Sequence, residues 1–146
     1  LLNEPETYRR YLVSIMLSFS LAVFVYLVFP NCQNLRPDPV PGKGLAAALV
    51  RALYATDTNT NVLPSVHVIG AVVVAFACAY SPAAKRHKWA LPLVCFLAAL
   101  ITLSTVFIKQ HSALDVFAAL AVCVPLWFAV YGRRGIPALR DAKRRK

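Results

Sequence analysis

The chain has 146 residues, of which 59% are hydrophobic, and a formal net charge of +10 at pH 7. Its mean hydropathy of +0.60 excludes an ordinary soluble domain, since apolar runs of about twenty residues are long enough to cross a hydrocarbon core of ~30 Å. The charge does not indicate a nucleic-acid partner, because seven of the sixteen basic residues lie in the last fifteen positions, beside the final apolar run. Basic flanks of this kind are typical of the cytoplasmic ends of membrane helices.

The first predicted span is 11–29, which is uncharged, rich in Leu, Val and Phe, and followed by Pro30. A long connector, 31–61, comes next. Within it, apolar residues recur at helical spacing between Gly44 and Ala55. This spacing predicts a short helix at the membrane interface, although it would also fit a helix packed inside a loop.

Three more apolar runs predict spans at 62–80, 89–108 and 112–131. The last one contains Pro125, which is expected to bend it, and a basic tail follows at 132–146. The predicted fold is therefore all-α, a transmembrane helix bundle with four spans and one interfacial helix, forming a single domain over 1–146.

The positions of the basic residues predict the orientation of these spans. With four spans, the basic segments at Arg9 and Arg10, at 85–88 and in the tail all fall on one side of the membrane. The positive-inside rule places that side in the cytoplasm. The connector and the turn at 109–111 are then extracytoplasmic, in an integral membrane protein that we expect in the plasma membrane.

The four cysteines show no metal-ligand spacing. Cys78, Cys95 and Cys123 fall within predicted spans and are interpreted as small buried apolar side chains. Neither a metal nor a cofactor is predicted.

Polar residues concentrate in the stretch 104–115, STVFIKQHSALD, between the last two spans. If the final span is helical, Asp115 shares a face with His111, four residues earlier, and can accept a hydrogen bond from the imidazole. An ionisable residue within a span suggests function. The alternative is a plain polar turn between helices, with Asp115 as a structural hydrogen-bonder.

The predicted orientation gathers several polar side chains at one membrane face, with Asp115 just beneath: Arg36, Ser65, His67, Lys109 and His111. Two histidines can divide phosphoryl transfer between a nucleophile and a general acid, and an arginine can hold phosphate oxygens. His87 lies on the opposite side and is interpreted as solvated and unrelated.

At these positions the sequence resembles the type 2 phosphatidic acid phosphatase superfamily, whose signatures are K-x6-R-P, P-S-G-H and S-R-x5-H-x3-D. The second signature corresponds to 64–67, with Val66 in place of Gly, and the third to 104–115, with Thr105 in place of Arg. The first is present only as Arg36 and Pro37, since Phe29 stands where Lys is expected. The resemblance covers 11–131 and implies that the first two of six usual helices are absent, leaving a partial domain.

The resemblance implies a role for each matching residue. His111 would be the nucleophile that forms a phosphohistidine, Asp115 would orient it, and His67 would be the general acid. Phosphate oxygens would be held by Ser65, the backbone near Val66, Arg36 and Ser104. Because two positive charges of the family pattern are missing, we expect Lys109 to contribute to the phosphate grip, the alternative being that it extends to the lipid headgroups.

The implied function is hydrolysis of a lipid phosphate monoester or diphosphate, with the membrane and this lipid as the partners. A first alternative is a lipid phosphotransferase of the inositol phosphorylceramide or sphingomyelin synthase type, in which a second lipid replaces water. A second alternative is a truncated, non-catalytic membrane protein.

Overall fold

The computed structural model describes residues 4–132, and the regular structure in that range is helical apart from one isolated β-bridge between Cys32 and Thr60. The helices are α1 (Pro5–Val28), α2 (Leu45–Thr56), α3 (Val66–Tyr80), α4 (Pro82–Arg86), α5 (Ala90–Phe107) and α6 (Ala113–Tyr131). The predicted all-α fold is confirmed. Of the predicted basic tail, all but Gly132 lies outside the described residues.

Three helices within 4–132 are long and apolar enough to cross a membrane: α1, α5 and α6, with 24, 18 and 19 residues. The chain is accordingly an integral membrane protein by length and composition. The remaining predicted span, 62–80, is helical only over the 15 residues of α3, which rise about 22 Å against a hydrocarbon core of ~30 Å. A fourth span therefore stays a prediction.

Local sequence explains where the helices depart from the predicted bounds. The helix α1 begins at Pro5, six residues before the predicted span, because proline suits the first helical position and Glu6 pairs with Arg10 one turn later at 2.6 Å. The helix α3 begins four residues later than predicted, because the Ser65 hydroxyl caps it by accepting a hydrogen bond from the Val68 amide at 3.4 Å. The helix α6 continues through Pro125.

The helix α3 lies at the centre of the bundle and packs against α1, α5 and α6. Its Val68, Ile69 and Val73 are fully buried in the core. The face of α1 that is buried carries small residues one turn apart, Ser14, Ser18 and Ala22. Small side chains let helices approach closely in a membrane, where packing rather than water drives their association.

Two cysteine interpretations differ from the structure. Cys123 is buried in the core as predicted, but Cys95 is exposed on α5 and Cys78 is only partly buried. Cys95 is exposed because α5 has few buried residues: only 6% of its apolar stretch is buried by the rest of the structure. The apolar run thus faces outward, which suits a lipid environment.

Hydrogen bonds define two ends of the bundle. The first is named the connector end, and there the segment 29–65 is bonded to the α5–α6 turn. For example, the Tyr54 hydroxyl donates a hydrogen bond to the Ile108 carbonyl at 2.5 Å. At the second, named the basic end, the Ser81 hydroxyl donates to Glu4 at 2.6 Å, and Arg10 donates to the Val130 carbonyl. The basic segments at 9–10 and 85–88 thus share one end, and the side of the membrane that this end faces stays a prediction.

The predicted interfacial helix is present as α2, one residue later than expected. It buries no side chain, and its Leu45 and Leu49 are 78% and 61% exposed. An apolar helix face this exposed suits a membrane interface, and the position of α2 relative to a bilayer stays a prediction.

Candidate functional site

The backbone that carries His111 is held by the C-terminal cap of α5. The Lys109 amide donates to the Val106 carbonyl at 3.1 Å and the Gln110 amide to the Thr105 carbonyl at 2.9 Å. These two bonds form a Schellman motif, in which Lys109 adopts the left-handed conformation at φ 57° that usually favours glycine. The His111 amide also donates to the Thr105 carbonyl, at 3.0 Å. The histidine is thereby attached to the end of α5.

Asp115 serves first as a capping residue of α6. Its Oδ2 accepts a hydrogen bond from the Ser112 amide at 2.7 Å, and the Ser112 hydroxyl accepts one from the Asp115 amide at 3.3 Å. This reciprocal arrangement is a capping box. The structural role that the sequence left open is therefore present.

The distance between Asp115 Oδ2 and His111 Nδ1 is 3.6 Å, which is longer than a hydrogen bond. Both side chains are buried, and Nδ1 has no hydrogen-bond partner within the described residues. An unpaired buried nitrogen is costly. A small shift of the imidazole would form the predicted hydrogen bond and remove that cost.

His67 lies beside His111, although 44 positions separate them along the chain. The two ring centroids are 5.5 Å apart and the rings are inclined by 67°. The Ser65 amide donates to the Asp115 carbonyl at 3.3 Å, which joins the start of α3 to the start of α6. The structure therefore brings His67, His111, Asp115 and Ser65 together at the connector end.

Burial is the main influence on the protonation of His111, and it lowers the pKa of the imidazole below the usual 6.5. The neighbouring His67 lowers this pKa further, while the Asp115 carboxylate and the Val62 backbone oppose the shift. At neutral pH His111 is therefore uncharged. An uncharged imidazole has the nitrogen lone pair that nucleophilic attack requires.

The start of α3 carries the other groups that the resemblance assigns to phosphate. Ser65 is fully buried, and its hydroxyl caps the helix. Val66 and His67 are the first two residues of α3, and the first amides of a helix have no carbonyl partner within it. These amides, close to His111, could donate to an anion.

Arg36 does not lie free to hold a phosphate. Its guanidinium is directed at Asp57, with one nitrogen 3.0 Å from the carboxylate and another donating to the Asp57 carbonyl. It also stacks over the Tyr54 ring at 4.8 Å. The same carboxylate accepts a hydrogen bond from the Gln110 side chain at 2.8 Å. The role of Arg36 as a phosphate ligand stays a prediction, and it would require Asp57 to release the guanidinium.

Two other predicted ligands are not brought to the histidines by any contact. The Ser104 hydroxyl is exposed and donates to the Ile101 carbonyl of its own helix at 2.8 Å, because Thr105, not Ser104, is on the buried face of α5. The Lys109 side chain is exposed and makes no hydrogen bond or ion pair within residues 4–132. Both assignments stay predictions.

Sequence reasoning did not identify the polar network that holds the connector against this site. Asp57 and Gln110 belong to it, and so does Gln33, whose amide donates to the Gln110 carbonyl. Asn31 adds a second anchor, because its side-chain oxygen accepts from the Val62 and Leu63 amides at 2.8 and 2.9 Å. The one available signal was the position of Gln110 directly before His111.

An open cavity of about 340 Å³ adjoins the site, lined by residues from the connector and by Ser112 and Asp115 at the start of α6. Within residues 4–132, no three His, Cys, Asp or Glu side chains lie close enough together to hold a metal ion.

The fold and site together define an all-helical integral membrane protein with a buried histidine pair at one end of its bundle. Comparisons with protein-family models, with curated proteins and with solved structures found no match to this chain. The resemblance to the type 2 phosphatidic acid phosphatases therefore rests on the motif residues alone.

Proposed function

We propose that this chain is a lipid phosphatase similar to the type 2 phosphatidic acid phosphatases, hydrolysing a lipid phosphate monoester or diphosphate through a phosphohistidine. The proposal rests on the closeness of His67 and His111. Their ring centroids are 5.5 Å apart at the end of an apolar bundle. Two imidazoles at this separation can reach one phosphoryl group from opposite sides of the scissile bond. The lowered pKa of His111 supports its role as the nucleophile.

In the first step, a ring nitrogen of His111 attacks phosphorus, and the bond from phosphorus to the lipid oxygen breaks. His67 donates a proton to that oxygen, so a neutral alcohol, or a lipid monophosphate from a diphosphate, leaves. In the second step, His67 accepts a proton from water, whose oxygen attacks phosphorus, and the phosphorus–nitrogen bond breaks. The first amides of α3 would stabilise the negative charge on the phosphoryl oxygens.

We also propose the finer localisation: a plasma-membrane protein with its connector end extracytoplasmic and its basic end cytoplasmic. The concentration of Lys and Arg at 85–88 supports this orientation. A membrane-impermeant thiol reagent applied outside should label Lys43→Cys but not Lys88→Cys, in a background without native cysteines. The reverse pattern would invert the orientation.

The second candidate function is a non-catalytic membrane protein, and one observation favours it. Phosphoryl transfer places negative charge on three oxygens, yet Arg36 is paired with Asp57 and Lys109 contacts neither histidine. Within residues 4–132, no Lys or Arg side chain bonds to either histidine, and such an arrangement is poorly suited to a dianionic substrate. Catalytic measurements separate this candidate from the phosphatase.

The deciding experiment follows the phosphoenzyme. Purified protein is incubated with a ³²P-labelled lipid phosphate and, separately, with a phosphate ester that has a good leaving group. Wild-type protein should release free phosphate and retain acid-labile label on histidine. His67→Ala should still form the phosphoenzyme from the activated ester, because a good leaving group needs no proton. His111→Ala should form none from either substrate.

His87→Ala is the matched control, since His87 is exposed at the basic end, and it should keep wild-type turnover. Acid-labile label on the His111→Ala protein would remove His111 from the nucleophile role. A wild-type protein with no turnover and no label would support the non-catalytic candidate. Label transferred to a second lipid in place of free phosphate would identify a phosphotransferase.

A further inference from the structure

The basic end contains a pocket that the proposed catalytic site does not use. It has a volume of about 340 Å³ and lies between α3, α4 and α5. Its apolar part includes Ala79 and Leu91, and its cationic part consists of Lys85 and Lys88, with His87 between them on the same wall. A site with both characters suits an amphiphile better than a soluble anion.

The pocket continues into an apolar groove of about 490 Å³ on the outer face of the bundle, lined by α3, α5 and α6. Ala79 and Leu91 line both cavities, so the cationic pocket lies directly beside the groove. Further along, Trp127 and Phe128 of α6 line the groove. Together the two cavities form a path from a positively charged turn to a purely apolar surface.

Within residues 4–132, no carboxylate pairs with the two lysines of this turn. The side chains of Lys85 and Lys88 are exposed and make no hydrogen bond or ion pair within residues 4–132. Glu4, the carboxylate that reaches α4, accepts hydrogen bonds from the Ser81 hydroxyl and the Ala83 amide, both at 2.6 Å. These bonds commit Glu4 to the start of α4. The two lysines thus remain available for an anion from outside the chain.

We propose that the pocket and the adjoining groove together bind one anionic phospholipid from the leaflet at the basic end. Its phosphate lies between Lys85 and Lys88, and one acyl chain follows the apolar groove past Trp127. Charge complementarity selects the occupant: a zwitterionic lipid fits the apolar part equally well but gains little from the lysines, and an uncharged apolar protein helix gains nothing from them. Basic pockets between membrane helices bind anionic headgroups in this way. The site is independent of the proposed phosphatase activity.

The position of the tryptophans allows a direct test, because the chain has two of them. Trp89→Phe leaves Trp127 as the sole reporter within the groove. The full chain is placed in phosphatidylcholine nanodiscs that contain a small fraction of brominated phosphatidylglycerol or, in parallel, of brominated phosphatidylcholine. Bromine quenches tryptophan fluorescence at contact, and we expect stronger quenching of Trp127 by the anionic lipid at equal fractions.

Two double variants distinguish a local site from bulk charge. Lys85→Gln/Lys88→Gln should lower the preference for the anionic lipid about fivefold for each lysine removed. Lys43→Gln/Arg51→Gln removes the same charge at the connector end and should leave the preference unchanged. A third variant, Ala79→Leu, keeps both lysines but fills the junction of the cavities, and should lower quenching by the anionic lipid.

Equal quenching by the two lipids in the Trp89→Phe protein would overturn the proposal, as would an equal effect of the two double variants. Quenching that Ala79→Leu leaves unchanged would refute the path of the acyl chain. If neither brominated lipid quenches Trp127, the groove is covered by protein, for example a second copy of the chain, and the proposal is wrong.

Discussion

The two ends of the bundle hold their buried charged and titratable side chains in different ways. At the basic end, Arg10 is 5% exposed, bonds Glu6 and the Val130 carbonyl, and stacks over the Tyr80 ring at 4.8 Å. At the connector end, His111 is as deeply buried, yet Nδ1 has no partner within the described residues and the carboxylate stands 3.6 Å away. A satisfied group holds helices together, whereas an unsatisfied one is available for chemistry.

The largest expected effect concerns the Arg36–Asp57 pair at the connector end. This pair either holds the structure together, as Arg10 does, or takes part in chemistry, as proposed for His111. The structure predicts that it positions the His111 turn through Gln110. For the proposed phosphatase activity, Arg36→Gln and Asp57→Asn should then lower kcat similarly, on the order of 10²-fold, with little change in KM. The double variant should be no worse than either single variant, because both remove one interaction. Steady-state kinetics on a lipid phosphate measures all three.

Arg51→Gln is the matched control for this pair, as an exposed arginine of the same connector. It should retain wild-type kcat. If Asp57→Asn keeps or raises kcat while Arg36→Gln loses it, Asp57 restrains an arginine that acts on phosphate, and the predicted ligand role of Arg36 is correct.

A second test concerns Arg10, the buried charged side chain that joins helices at the basic end. Arg10 and Arg9 both pair with Glu6, but their side chains are 6% and 42% exposed. Arg10→Met should lower the free energy of unfolding by about 2 kcal/mol, because it removes a buried charge-assisted hydrogen bond to the Val130 carbonyl together with the ion pair to Glu6. Arg9→Met should cost under ~0.5 kcal/mol. Thermal unfolding in detergent that shows equal losses would contradict the architectural role.

The smallest effect concerns pH. The folded-state pKa of His111 lies below 6.5, so below that pH the unfolded chain binds more protons at this position than the folded one. The stabilising contribution is present above pH 6.5 and is lost as the pH falls through the folded-state pKa. Wild-type protein should therefore lose stability on acidification more steeply than His111→Gln. The check is the melting temperature of both proteins between pH 7.5 and 5. If it falls equally with pH in the wild-type and His111→Gln proteins, His111 is not shielded from water.

The sequence predicted the helices well because apolar runs are a strong signal, and it predicted the approach of His67 to His111 from span orientation. The helix α1 begins six residues before the predicted span, because Glu6 pairs with Arg9 and Arg10 and both arginines lie within the helix. The Arg36–Asp57 pair could not be predicted, because the partners are 21 positions apart, and the irregular segments on either side of α2 have no periodicity that would bring them together. The αL conformation of Lys109 was equally unforeseen, since glycine normally marks that position.

The attachment of the site residues to different helices has a mechanical consequence. The Ser65–Asp115 backbone bond fastens α3 to α6, whereas His111 is bonded through Thr105 to α5, the most outward-facing of the long helices. The 3.6 Å between the His111 imidazole and the Asp115 carboxylate is therefore set by how α5 packs relative to α6, and not by the geometry of a single helix.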